Sequence, residues 1–222
     1  MASAAITIGV DTTDPTVPSS LDMFATSDTG SSSSDNNTQV TTPTLLALAV
    51  AETAITLSSS LDGVIGTTTA NSSGIWLVTT TTLSEGDHNL TATATDVAGT
   101  ESADSNALAV TIDITAPTIT ATSLSTNDTT PALGGTVDDT AATISVTVDG
   151  QTTAATNNGD GTWSLADDTL AALSEGTFDV TVTATDGVGN VGSDATSGEL
   201  TVDLTAPTVA VTNLSTNDTT PA

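Results

Sequence analysis

The nine residues LSTNDTTPA stand at Leu124–Ala132 and return unchanged at Leu214–Ala222. A return at this distance constrains the fold before any local propensity is weighed, because self-similarity at a fixed period means stacked structural units. The flanks repeat as well. LAVTIDITAPTI (Leu108–Ile119) precedes the first copy and LTVDLTAPTV (Leu200–Val209) the second, with Pro117 and Pro207 90 positions apart. ITIGVDTTDPTV (Ile6–Val17) carries the same pattern, its Pro15 lying 102 positions before Pro117. Inside the units, LSEGDHNLTATATDVAGT (Leu83–Thr100) lies over LSEGTFDVTVTATDGVGN (Leu173–Asn190), and Gly74–Trp76 over Gly161–Trp163. The sequence therefore divides into the last strand of one repeat (1–12), two whole repeats (13–113 and 114–203) and the start of another (204–222). It reads as a segment of a longer tandem array.

Within each unit the period is 2. Leu90, Ala92 and Ala94 face one way and Thr91, Thr93 and Thr95 the other; in the second unit Val180, Val182 and Ala184 alternate with Thr181, Thr183 and Thr185. Threonine combines β propensity with a wettable face that needs no charge. Asp149-Gly150 signals a two-residue hairpin, and NNGDG (Asn157–Gly161) a second turn. Seven strands are expected in the second unit, near Thr118–Ser123, Ala132–Val137, Thr143–Asp149, Gln151–Thr156, Thr162–Ala166, Thr177–Thr185 and Gly198–Asp203. The apolar Thr44–Leu57 follows Pro43 and aligns with Ala132–Val146, so it reads as two strands rather than a helix. Short strands at this spacing, broken by Gly, Asn and Asp, predict an all-β chain of antiparallel sandwiches. Units of roughly a hundred residues can bury about 60–65% of their unfolded surface in such a sandwich. Aromatic residues make up 2% of the chain, so the cores must be built from Val, Ile, Leu and Ala, with Trp76 and Trp163 each expected to plug one.

Charge excludes whole classes of function. The chain has no Lys or Arg against 27 Asp plus Glu, a net charge of −27. It cannot neutralise phosphate, which rules out nucleic acid and anionic membrane surfaces as partners. Its carboxylates are left with water, backbone donors or external cations. There is no Cys, hence no disulfide and no thiolate chemistry. The longest apolar run, Leu45–Ala51, is far short of a membrane span, and MASAAITIGV lacks the basic stretch of a signal peptide. Secretion is thus expected to be directed by parts of the protein outside this sequence. Catalysis is poorly served: His88 has no second His or Cys with which to build a site, and it is expected to be a solvated loop residue. The pair Asp138-Asp139 has no aromatic or basic residue nearby to line a substrate cleft.

The boundary D-x-T-[AD]-P, the LSEG turn, the strand end TATD-x-x-G-[NT] and the strand start G-x-W occur in the same order in both units. Together they resemble the bacterial immunoglobulin-like repeats of giant, type I-secreted surface adhesins and biofilm-associated proteins. The resemblance covers essentially the whole chain. It implies immunoglobulin-like sandwiches in an extracellular, elongated rod stiffened by Ca²⁺ at the domain junctions. The sequence departs from the pattern in one place, where Ser27–Pro43 of the first repeat replaces the short STNDTTP of the second. That departure leaves any ligand role for Asp28 or Asp35 open.

Ca²⁺ takes 6–8 oxygens in flexible geometry, and with no EF-hand loop present a site must be assembled from several loops. At the end where a sandwich begins, the linker meets the turn between the second and third strands and the last hairpin. For the second repeat these supply Asp113, Asp138, Asp139 and Asp186; for the first, Asp11 with Asp14 beside it, Glu52 and Asp96. At the opposite end, Asp128 and Glu175 are expected to approach the outgoing linker at Asp203, as Glu85 approaches Asp113. The competing reading of each acid is a turn residue capping its own loop. The reading carried forward is a calcium-stiffened extender rod of a cell-surface adhesin, whose partners are its own neighbouring repeats. Its rival is a filament in which AITIGV (Ala5–Val10) and TVAVTNL (Thr208–Leu214) complete sandwiches of neighbouring chains. A carbohydrate-binding module is disfavoured by the shortage of aromatics.

Overall fold

The computed structural model describes residues 10–194 and 196–211. Of the two segments invoked for chain-to-chain completion, AITIGV lies outside them except for Val10, and of TVAVTNL residues 208–211 are described and form no strand.

In the first repeat, β1 (Ser19–Met23), β3 (Thr44–Leu48) and β6 (Ile75–Thr79) form one sheet. The other is built from β2 (Asn37–Thr38), β4 (Ala54–Ser59), β5 (Gly63–Thr69), β7 (Gly86–Thr95) and β8 (Leu108–Ile112), in the order β2-β8-β7-β4-β5. The alternation read from the sequence turns Leu90, Ala92 and Ala94 inward, and they are fully buried. They join Leu45, Ile55, Leu57, Ile65 and Ile112 around Trp76 in one core. The apolar Thr44–Leu57 is two strands in two different sheets, as its period requires.

The second repeat is built from β9 (Ile119–Ala121), β10 (Leu124–Thr126), β11 (Leu133–Val137), β12 (Thr143–Val148), β13 (Gln151–Asn157), β14 (Thr162–Leu165), β15 (Gly176–Phe178), β16 (Val180–Thr185), β17 (Val191–Asp194) and β18 (Leu200–Val202), with β13 pairing to β14 so that the strands run β17-β16-β12-β13-β14-β11-β9 beside a second sheet, β10-β18-β15. Its core gathers Leu133, Val146, Val148, Leu165, Val182 and Leu200 around Trp163. Asp149 and Gly150 both adopt positive φ, 48° and 74°, between the paired Val148 and Gln151. That is the two-residue hairpin expected from Asp-Gly, whose twist matches the flanking strands.

Three features depart from the expected strands. Each repeat adds one short parallel pair, β2 with β8 and β10 with β18. The strand expected over Thr177–Thr185 breaks at Asp179, whose carboxylate turns aside to accept the Gly198 amide at 2.8 Å. Finally, β17 closes the open edge of β16. In the first repeat the equivalent edge is closed by single residues: the Ser102 and Ser105 hydroxyls accept the Ala94 and Ala92 amides, each at 3.0 Å, and their own amides donate to Ala94 O and Ala92 O at 2.9 Å.

Candidate metal centre at the repeat junction

The linker between the repeats is gripped from both sides. The Asp113 amide donates to Thr38 O at 3.0 Å, extending the β2–β8 pair by one bond. Its carboxylate accepts the Thr115 amide at 3.0 Å, a local Asp turn, and the Thr115 hydroxyl donates to Glu85 of the LSEG turn. The exit from the second repeat is built identically. Asp203 N donates to Thr126 O at 2.9 Å, Thr205 N to Asp203 Oδ1 at 2.9 Å, and Thr205 Oγ1 to Glu175 at 2.8 Å. The D-x-T and LSEG motifs are thus two halves of one clamp. Asp128 instead caps its own turn, accepting the Thr130 amide at 2.9 Å.

On the far side of the linker, Asp113, Thr115, Ala116, Pro117, Asp138, Asp139 and Asp186 line one open cavity of about 360 Å³. All four acidic residues assigned to this junction therefore line a common space. Asp113, Asp139 and Asp186 also cap their own turns, while Asp138 reaches across to the incoming segment. Asp138 Oδ1 accepts the Thr118 amide at 2.8 Å and Asp139 Oδ1 the Ala141 amide at 2.8 Å. Asp186 Oδ1 accepts three amides, from Val188, Gly189 and Asn190, and its Oδ2 takes the Asn190 side chain at 2.8 Å. Among the described residues no three acidic or histidine side chains converge on one ion-sized point. The donor set is right for calcium, which takes carboxylate and carbonyl oxygens, but the carboxylates line a space and do not close a shell.

The first-repeat residues are arranged in parallel fashion. Asp96 accepts the Ala98 and Thr100 amides on Oδ1 and the Thr100 hydroxyl on Oδ2, and that hydroxyl also reaches Thr13 O of the incoming linker at 3.0 Å. Asn190, four residues after Asp186, bridges in the same way to Asp113 O at 3.0 Å. Asp11 caps Thr13, and Glu52 occupies a turn at φ 63°. No hydrogen bond joins Asp11, Glu52 and Asp96 to one another among the described residues.

The inserted Ser27–Pro43 segment does something the sequence did not announce. It crosses the junction as a strap. Ser31 N donates to Gly187 O at 2.9 Å, while Thr29 Oγ1 and Gln39 Nε2 donate to Val188 O at 3.2 and 3.3 Å. Gly30 packs so closely that an added Cβ would lie 2.1 Å from Gly187 O.

His88 is corrected. It is buried, not solvated, because the strand begins at Gly86, four residues before the alternation from Leu90, and places His88 on the inward face with Leu90. Its Nε2–H donates to Ser84 O at 2.9 Å, so Nδ1 accepts the Ser59 hydroxyl at 2.7 Å. It is a satisfied core residue standing where the second repeat has Phe178.

The acids of the second repeat predict its response to low pH. The Ala121 and Thr196 amides hold the Asp194 carboxyl below the ordinary range, and the Thr196 side chain and the Val180 amide do the same for Glu199. At Asp186 burial pushes upward but the Asn190 side chain and the backbone amides outweigh it, so the net shift is downward. A depressed folded value gives stability that is present above the unfolded pKa and lost as pH falls through the folded one. Asp194 and Glu199 each tie two strands together, whereas the first repeat closes the corresponding edge with serine hydroxyls and amides that do not titrate; its own lowered carboxyls, Asp62 and Asp96, are held by Ser84 and Thr100 in loops rather than between strands. Between pH 5 and pH 2 the second repeat should unfold before the first. Single-tryptophan variants, Trp76→Phe and Trp163→Phe, read the two transitions separately by fluorescence; coincident midpoints would overturn the assignment.

The family model described as bacterial Ig-like domain matches residues 14–114 and again 118–204. No curated protein matches the chain significantly. Among solved structures, similarity extends to the fibronectin(III)-like modules of CbhA from Clostridium thermocellum, with 18% identity, 75% of this chain, 87% of that one and a TM-score of 0.39. A bacterial ice-binding adhesin of 1.5 MDa gives 18% identity, 86% and 65% coverage and a TM-score of 0.40. A tetra-tandem repeat in the extending region of a large adhesion protein gives 26% identity, 86% and 50% coverage and a TM-score of 0.36, so this chain spans half of its length.

Proposed function

The chain belongs to the bacterial Ig-like domain family, and from that premise we propose that it is an extender segment of a bacterial cell-surface adhesin. It works as a rod outside the cell that carries a distal binding domain, with calcium stiffening its junctions. The observation that carries this reading is the clamp made twice: each repeat hands the chain onward through the same D-x-T turn held by the same LSEG glutamate. A join that repeats without change propagates into an array, and each sandwich receives the chain at one end and releases it at the other.

The parallel pairs suit a load-bearing role. Opposite pulls on the two ends of a repeat draw β10 and β18, or β2 and β8, past each other, so their bonds share the load in shear rather than opening one by one. Calcium enters through Asp113, Asp138, Asp139 and Asp186, with Asp11, Glu52 and Asp96 at the preceding junction and Asp203 at the following one. An ion there supplies positive charge to a chain that has none of its own. The protein's part is to hold the linker against the cavity through Thr115–Glu85 and Asn190–Asp113.

Small-angle scattering tests the rod. Chelation at low ionic strength should shorten the maximum dimension and lower the melting temperature, and calcium should restore both. Magnesium should not match it, since it demands tighter octahedral geometry. Asp113→Ala should be shorter than the native chain in calcium while far-UV circular dichroism is unchanged. A native chain indifferent to calcium would leave the strap and the clamp as the whole of the junction. Protease shaving of intact cells tests the location: a segment retained inside would end the adhesin reading.

A further inference from the structure

The strap contains a carboxylate with nothing to neutralise it. Asp28 is 5% exposed, and its Oδ2 accepts the Asn36 amide at 3.2 Å while its Oδ1 has no partner. The side-chain oxygen of Asn36, also buried, has none either. Asn36 is held at φ 60°, in the left-handed region that Asn tolerates and most residues avoid. Asp35 lies beside it and gives one oxygen to the Asn37 amide at 3.1 Å. Burial raises the Asp28 carboxyl above its ordinary value; the Asn36 amide opposes this, and the Asp35 and Asp22 carboxylates add to it, Asp35 also by direct contact.

An isolated buried carboxylate is costly, and such groups are normally paired or bound to a cation. In this chain no Lys or Arg exists to do the pairing. A proton brings one donor, yet two buried oxygens, Asp28 Oδ1 and the side-chain oxygen of Asn36, stand without a partner. We infer that Asp28, Asp35 and the Asn36 side-chain oxygen hold a divalent cation of the calcium class within the strap, separate from the linker cavity. The donors are all hard oxygens, as calcium requires, and backbone carbonyls and water complete its larger shell. Thr29, Gly30 and Ser31, which follow Asp28 directly, reach Gly187 and Val188 together with Gln39. The ion therefore fixes the part of the first repeat that touches the second.

The test uses the full chain, calcium as the probe, and Asp28→Asn beside Asp113→Ala. Calorimetric titration should show Asp28→Asn binding one ion fewer than the native chain, or binding it at least about tenfold more weakly. Asp113→Ala should keep that ion, which separates this site from the linker cavity. Amide exchange of residues 27–39 should slow on adding calcium in the native chain and not in Asp28→Asn. Because the variant removes an uncompensated buried charge, it should melt above the native chain in chelator and below it in calcium. That crossing cannot come from a simple folding defect. An Asp28→Asn chain more stable than native by the same margin in both conditions would mean that no calcium offsets the Asp28 carboxylate, and would overturn the site.

Discussion

Trp163→Ala should strongly destabilise the second repeat and leave the first unchanged. Trp163 is fully buried, touches the centre of its own core, and donates its indole N–H to Thr120 O at 2.8 Å. Emptying a buried tryptophan site costs about 3–5 kcal/mol, against a stability of about 5–15 kcal/mol for a typical domain. For a unit of this size each kcal/mol is worth about 4–8 °C, so the melting midpoint should fall by more than about 12 °C. The first repeat should not follow. The two cores share no member, and what crosses the junction is hydrogen bonding from Ser31, Thr29, Gln39 and Asn190 with the close approach of Gly30 to Gly187 and Val188. Calorimetry should resolve two transitions, one displaced and one in place, with Trp76 fluorescence following the second of these. A joint fall of both would mean that the strap couples the repeats into one cooperative unit.

The parts of this molecule that were legible in advance are those set by local period and by turn chemistry. Threonine alternation placed Val180, Val182 and Ala184 inward, Asp149-Gly150 made its hairpin, and the two tryptophans found the two cores. The gathering of Asp113, Asp138, Asp139 and Asp186 was legible too, because a sandwich brings the same loops together at one end whatever their sequence. How the oxygens of these residues are spent was not. An Asp that caps a turn and an Asp that binds an ion look alike in sequence, and Asp186 gives both oxygens to its own loop. His88 was misread because an acidic turn hid the start of its strand. The strap was missed for a different reason: its partners, Gly187 and Val188, lie about 150 positions away, and nothing in either segment alone says that they meet.

Gly135→Ala should destabilise the second repeat by at least about 2–3 kcal/mol, against the usual sign for such a change. Glycine within a strand is ordinarily a weakness, and alanine there should help. Gly135, however, lies on β11 directly opposite Trp163 and beside β9. A Cβ at this position would stand 1.9 Å from Thr120 O and 2.7 Å from the indole nitrogen. The missing side chain is the space through which the indole N–H reaches its acceptor. Filling it forces β9 away from β11, an overpacking cost of about 1–3 kcal/mol. It also strands a buried donor, at about 1–3 kcal/mol more. The first repeat shows the arrangement with the space filled: Ala47 pairs with Trp76 at the equivalent position, and the Trp76 indole nitrogen is buried with no partner. Denaturant titration in a Trp76→Phe background, where Trp163 alone reports, measures the loss directly. A variant as stable as the native chain would mean that β9 can move aside while the indole keeps its bond, and that glycine at 135 answers to something other than the tryptophan across from it.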